Sequence, residues 1–132
     1  LGTDLEKPVD RLVMAYDDPQ GVTSAFNKNL LARINYELSA NFDLSKFAHE
    51  ARWNQPDGCI EMHLRSLVDQ AVRISRLKLI CSFSEGETIR TERSHKYRGG
   101  IIGGWLSSAG WELSEQWIDQ PSLFALNLAC AA

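Results

Sequence analysis

The run Glu92-Arg93-Ser94-His95-Lys96-Tyr97 packs acceptors, donors and charges together with no apolar spacer. If the run is extended, alternation puts Glu92, Ser94 and Lys96 on one side. A carboxylate two residues from a hydroxyl can grip a planar polar group such as an imidazole N–H. The plainer alternative is a solvated edge strand, and composition leaves both open.

Other constellations say less. Gly99-Gly100-Ile101-Ile102-Gly103-Gly104 suggests a phosphate cradle, but its spacing is not that of a nucleotide fingerprint and no clear buried strand precedes it. A loosely packed helix start is the better expectation. His49, His63 and His95 with Cys59 or Glu61 suggest a metal set. Glu61 and His63 share one strand face, yet no ligand pair is matched by a second pair elsewhere. Scattered surface histidines and no metal site are expected. Walker, H-E-x-x-H and G-x-S-x-G patterns are absent from the sequence. Trp53, Trp105, Trp111, Trp117 and the phenylalanines read as core or edge packing, because basic residues are not interleaved with them.

Composition narrows the classes. The chain has 132 residues, 44% hydrophobic and 23% charged, with a formal net charge of -3. That suits one globular domain or a piece of a larger one. An acidic balance argues against a nucleic-acid partner. No apolar run approaches the roughly 18 residues of a membrane span, so no membrane partner is expected. Three widely spaced cysteines, Cys59, Cys81 and Cys130, argue against a disulfide framework and for a reducing, cytoplasmic setting. The opening Leu1-Gly2-Thr3-Asp4-Leu5 lacks an initiator Met and a polar lead-in. It reads as a cut through a strand or its exit loop, with a processed or trimmed N-terminus as the alternative.

These residues need elements to position them. Val9 to Tyr16 reads as a short helix behind Pro8. Asp17-Asp18-Pro19-Gln20-Gly21 is a turn. Val22 to Leu38 is helical, with Val22, Phe26, Leu30, Ile34 and Leu38 as the expected buried stripe, widened by Ala25 and Leu31, and Lys28, Arg33 and Glu37 facing water. Asp43 is expected to cap a short helix through Ala48. Gln55-Pro56-Asp57-Gly58 reads as a hairpin turn. Ile60, Met62 and Leu64 then alternate with Glu61, His63 and Arg65, a half-buried strand. Strands are expected around Val72 and Ile74, over Leu77 to Phe83 and over Thr88 to Tyr97. A helix is expected over Ile101 to Ala109. A closing strand pair, Trp111 to Ile118 and Leu123 to Ala129, is joined by Asp119-Gln120-Pro121-Ser122. The fold class is α+β.

Several runs together resemble the histidine-specific S-adenosylmethionine-dependent methyltransferase family. They are Gly2-Thr3-Asp4-Leu5-Glu6-Lys7, Tyr16 through Asn27, Asn29 through Asn35, Arg52-Trp53-Asn54, Ile60-Glu61-Met62-His63-Leu64, Gly86 through Glu92 with Ser94, Lys96 and Tyr97, and Trp117 through Pro121 with Leu123-Phe124. The likeness runs over nearly the whole chain in one order.

The resemblance implies an enzyme that methylates the α-amino group of L-histidine to hercynine, in ergothioneine biosynthesis, with S-adenosylmethionine as donor. It implies a Rossmann-like methyltransferase core plus a substrate-binding domain, with this chain as the C-terminal part. Residues 1–7 would end a core strand, 8–94 would form the substrate-binding domain, and 95–132 would return to the core as a helix and the final strand pair. Tyr16 matches the family tyrosine that holds the substrate carboxylate, and Thr23 lies in the same wall. Met62 matches a residue lining the side-chain pocket. Glu92 and Ser94 match the pair that hydrogen-bonds the imidazole, with Glu92 expected to be buried. The glycine-rich turn and acidic ribose contact for the cofactor would lie upstream, so the chain alone is expected neither to bind S-adenosylmethionine well nor to turn over. Gly99 to Gly104 departs from a stretch that is usually acidic and helical in the family. Two alternatives stay open: a free-standing amino-acid-binding module, and a methyltransferase of the same family acting on another amino acid. Exposed strand edges in a partial sheet suggest self-association.

Overall fold

The computed structural model describes residues 1–121 and 123–132; the part of the expected closing turn that falls on Ser122 lies outside the described residues. In chain order the elements are β1 (Gly2–Asp4), α1 (Val9–Tyr16), α2 (Val22–Leu38), β2 (Phe47–Asn54), β3 (Cys59–Ser66), β4 (Gln70–Ile74), β5 (Leu79–Phe83), β6 (Thr88–His95), α3 (Ile101–Ser108), β7 (Trp111–Ile118) and β8 (Phe124–Ala131). Helix and sheet are mixed, as α+β content requires.

The helix starts follow from local chemistry. Asp18 accepts from the amides of Val22 and Thr23, at 3.0 and 2.7 Å, satisfying two of the free N–H groups that open α2. Gly21, at φ 73°, makes the left-handed turn into that helix.

The strands form three antiparallel groups, ordered β2-β3-β6, β4-β5 and β1-β8-β7. Gln55 to Gly58 turns β2 into β3, so that Phe47 faces Ser66 and Asn54 faces Cys59. Between β3 and β6 the register slips once. Met62 opposes Glu92 and His63 opposes Arg90, leaving Thr91 as the extra residue of a bulge. The main core lies where α2 and the β4-β5 hairpin meet the β2-β3-β6 sheet. It consists of Leu31, Phe42, Phe47, Leu64, Val72 and Ile74, with the rings of Phe42, Phe47 and Phe83 in mutual contact.

Several expectations change. The helix expected through Ala48 is only a single 3-10 turn, Leu44–Lys46, still capped by Asp43 at 3.0 Å. Strand β2 follows at once, because Phe47, His49, Ala51 and Trp53 alternate toward the helices. The half-buried strand is buried on both faces: within β3 only Arg65 reaches intermediate exposure. The stripe of α2 holds in its second half, where Ile34 and Leu38 pack against the core, and is turned by one residue, about 100°, in its first half. Val22, Phe26 and Leu30 are 68%, 67% and 42% exposed, whereas Asn27 and Leu31 are buried. Core packing holds for Phe42 and Phe47, but Trp105, Trp111 and Trp117 are about half exposed. His63 is buried and His49 half-buried, so the surface-histidine expectation holds only for His95.

Candidate functional site

One face of the β2-β3-β6 sheet carries the polar groups of interest. Register puts Met62 directly opposite Glu92, and Ile60 opposite Ser94. Glu92 and Ser94 therefore project from the same face of β6, about 7 Å apart along the strand. Helix α2 crosses this face and leaves a cleft of about 220 Å3. Its walls are Phe26, Asn27, Leu30 and Arg33 from α2, Met62 from β3, and Thr91 and Glu92 from the bulge of β6. Met62 forms a buried apolar floor. Glu92 is exposed, which corrects the expectation of a buried carboxylate. A ligand must itself cover Glu92 before that charge is shielded from water.

Beyond Glu92 lies a tight polar node. The Tyr16 hydroxyl, at the last residue of α1, is 2.7 Å from the Ser94 hydroxyl. The Lys96 ammonium donates to Tyr16 Oη at 2.7 Å and to Ser94 Oγ at 2.8 Å, and lies 2.7 Å from Asp4 Oδ2. It also sits 4.7 Å from the centroid of the Tyr16 ring. Its side chain is fully buried. Burial pushes Lys96 toward the neutral form, but the hydrogen bonds to Asp4 and Tyr16 outweigh this and raise its pKa above the ordinary value. For Asp4, burial pushes upward, and hydrogen bonds from Lys7 and Lys96 override it and lower the carboxyl below the usual range. The node is therefore a charged, internally paired unit.

A second set of bonds aims Tyr16. Asn27 Nδ2 donates to His49 Nδ1 at 2.9 Å and to the His63 carbonyl at 3.2 Å. An amide nitrogen can only donate, so His49 Nδ1 accepts and its Nε2–H donates to the Tyr16 carbonyl at 2.7 Å. Helix α2 and strands β2 and β3 thus jointly hold the end of α1.

The opposite face of the sheet is an ion network. Glu61 accepts from Asn54, His63 and Arg90, each at 3.1 Å. The hydrogen bond from Asn54, then that from His63, does most to lower its pKa to about 2. Asp57, Cys59 and Glu61 lie close enough together to suggest a cation site. The Arg93 guanidinium already occupies that position, with Nη2 2.5 Å from Asp57 and 3.7 Å from Cys59.

Of the residues singled out in the sequence, Met62 and Glu92 share the cleft, and Tyr16 and Ser94 share the node. Thr23 lies one helical turn before Asn27 and does not line the cleft. The hydroxyls of Tyr16 and Ser94, which the resemblance assigns to opposite ends of a ligand, touch each other. Sequence reasoning missed Asn27, His49 and the hub role of Lys96. An Asn in the middle of a helical apolar stretch was the available signal for the first.

A family model described as histidine-specific methyltransferase, SAM-dependent, matches residues 1–131. The chain belongs to this family. Two curated relatives carry the name histidine N-alpha-methyltransferase. That of Mycobacterium tuberculosis (strain CDC 1551 / Oshkosh) is 49% identical over 98% of this chain, and that of Mycolicibacterium smegmatis (strain ATCC 700084 / mc(2)155) is 48% identical over the same share. In both cases the chain spans about 40% of the relative's length.

Proposed function

We propose that this chain forms most of the amino-acid pocket of an S-adenosylmethionine-dependent enzyme that methylates the α-amino group of L-histidine, giving hercynine for ergothioneine biosynthesis. The observation that carries this reading is the single strand face on which Glu92 and Ser94 stand two residues apart, beside the Met62 floor and within reach of Tyr16. The names of the relatives support the choice of substrate.

In this reading residues 8–94 are the substrate-binding domain, and 1–7 with 95–132 belong to a Rossmann-like core completed by other residues. Every pairing between the named strands is antiparallel among the described residues. A doubly wound nucleotide site needs the carboxyl ends of parallel strands. This supports an S-adenosylmethionine site formed largely by other residues of that core.

The donor supplies an electrophilic sulfonium methyl. This chain has to hold the other partner. Glu92 and Ser94 hydrogen-bond the imidazole, Met62 packs under the ring, and Tyr16 holds the carboxylate end, with Thr23 in the nearby wall. Fixing both ends leaves the amine one trajectory, and orientation is the main lever in such a transfer. A hydrogen bond to a charged group contributes about 1.5–3 kcal/mol. Glu92 further penalises an apolar side chain, which would leave the carboxylate unpaired.

The test is a methyl-transfer assay on the complete reading frame that carries this sequence, against a panel of free amino acids. Histidine should be the preferred acceptor. Glu92→Ala should weaken histidine binding about tenfold to a hundredfold, the ratio that follows from the hydrogen-bond range above. Unchanged affinity would remove Glu92 from the reading, and preference for another amino acid would replace the substrate.

A further inference from the structure

Two of the residues lining the cleft are buried, Met62 and Asn27, and they mark its inner end; its other walls are half-buried or exposed. Asn27 is only 3% exposed. Its amide nitrogen spends both hydrogens, on His49 Nδ1 at 2.9 Å and on the His63 carbonyl at 3.2 Å. A carbonyl can only accept, so turning the amide over would set oxygen against oxygen. Asn27 Oδ1 is thereby fixed on the far side of the amide. Among the described residues nothing donates to it, whereas every fully buried side-chain nitrogen or oxygen has a partner. Oδ1 is therefore open, and the opening that Asn27 lines is the cleft.

The other polar groups beside the Met62 floor are of the same kind. Thr91 spends its hydroxyl hydrogen on the Met62 carbonyl at 3.0 Å, and Glu92 is a carboxylate. Sheet order is β2-β3-β6. Asn27 reaches toward β2 through His49, and Glu92 stands on β6, so the two acceptors flank Met62 of β3 from opposite sides.

From this arrangement, and resting on the function proposed above, we infer that Asn27 is a substrate-contacting specificity residue: its Oδ1 accepts the N–H of one imidazole nitrogen while the Glu92 edge takes the other, so the site selects a ring that carries hydrogen on both nitrogens. A ligand that fills the inner end displaces water from Oδ1. It must then supply a donor or leave a buried acceptor unpaired. Each ring nitrogen carries at most one hydrogen, so acceptors on two sides call for two N–H groups, which the imidazolium has. The Glu92 carboxylate favours that charged form. The remaining charged and titratable groups about the cleft are engaged elsewhere. Arg33 gives Nε and Nη2 to Glu37, His49 lies behind the Asn27 amide and donates to the Tyr16 carbonyl, and the His63 ring bonds Glu61 on the opposite face.

The experiment uses calorimetry on the full-length protein at pH 7.5 to compare L-histidine with thiazol-4-ylalanine, an amino acid whose ring keeps one bare nitrogen and has no N–H. The wild type should prefer histidine. Asn27→Ala should lower that preference about fivefold to tenfold, the ratio expected for one hydrogen bond. A merely structural role of Asn27, exerted through His49, would weaken both ligands alike and leave the preference unchanged. The 15N spectrum of ring-labelled histidine bound to the wild type should show hydrogen on both ring nitrogens. That measurement carries the test if circular dichroism shows Asn27→Ala unfolded. A wild type that does not bind histidine overturns the proposed function and this inference with it. A wild type that binds histidine with one ring nitrogen bare, or an unchanged preference in folded Asn27→Ala, overturns this inference alone.

Discussion

The β2-β3-β6 sheet and the β1-β8-β7 sheet are built from similar material and end differently. In β3, apolar and charged residues alternate, and both faces are covered: helices lie on one, and a network of arginine, asparagine and carboxylate side chains covers the other. In β7 every residue except Leu113 is exposed. Trp111, Trp117, Ile118, Phe124, Leu126 and Leu128 of β7 and β8 are between 44% and 51% exposed. An alternating pattern therefore does not by itself predict burial. Burial depends on what else the chain can bring to each face. The first sheet is completed inside this chain and carries the candidate pocket. The second leaves an apolar face of the kind that marks an interaction surface.

The sharpest way to break this contrast is to truncate one large side chain in each sheet. Phe47→Ala and Leu64→Ala, at fully buried positions, should each cost on the order of 2–5 kcal/mol of unfolding free energy. Leu128→Ala, half exposed in β8, should change it by less than about 0.5 kcal/mol. Urea titrations of the 132-residue chain measure all three. A comparable loss at Leu128 would mean that the second sheet is buried in solution, and the contrast would fail.

That result would join with a second measurement. We propose that the exposed second sheet drives self-association of this chain, through its apolar face and unpaired edges. Sedimentation should show mass rising with concentration, and Leu126→Lys with Leu128→Lys should shift the chain toward monomer. A wild-type chain that stays monomeric at high concentration refutes the proposal. Titration with S-adenosylmethionine belongs to the same set: in the proposed reading this chain should show no saturation in the micromolar range, because its named strands pair only antiparallel among the described residues. Micromolar binding would place the cofactor site within these residues.

What the sequence made legible was local. The bounds of α1 and α2 follow from Pro8, Asp18 and Gly21, whose effects reach only the next few residues. The shared face of Glu92 and Ser94 follows from strand period alone. Strand β2 was hidden because His49, a polar residue, sits in its inward line, and its partners lie on α1 and α2. The turned stripe in the first half of α2 was hidden for the same reason: Asn27 is buried only because His49 and the His63 carbonyl are there to receive it. The second covered face of β3 depends on Arg90 and Arg93, brought in by β6. The hub role of Lys96 depends on Tyr16, 80 residues away. Side chains that answer to distant partners have no periodicity to betray them.

The smallest expected effect concerns the ion network on the far face of the first sheet. Glu61 has its pKa lowered from 4.5 to about 2 by Asn54, His63 and Arg90. Above about pH 4.5 the carboxylate is ionised whether the chain is folded or not, and the network contributes in full. As pH falls from there toward 2, the unfolded chain takes up a proton that the folded chain resists, so stability declines across that window and this contribution is gone below it. Glu61→Gln should therefore start less stable at pH 6 and lose less on acidification. Urea midpoints collected from pH 6 down to pH 3 compare the two proteins. If the Glu61→Gln and wild-type curves run parallel, the charged face only covers β3 and does not couple its stability to protons.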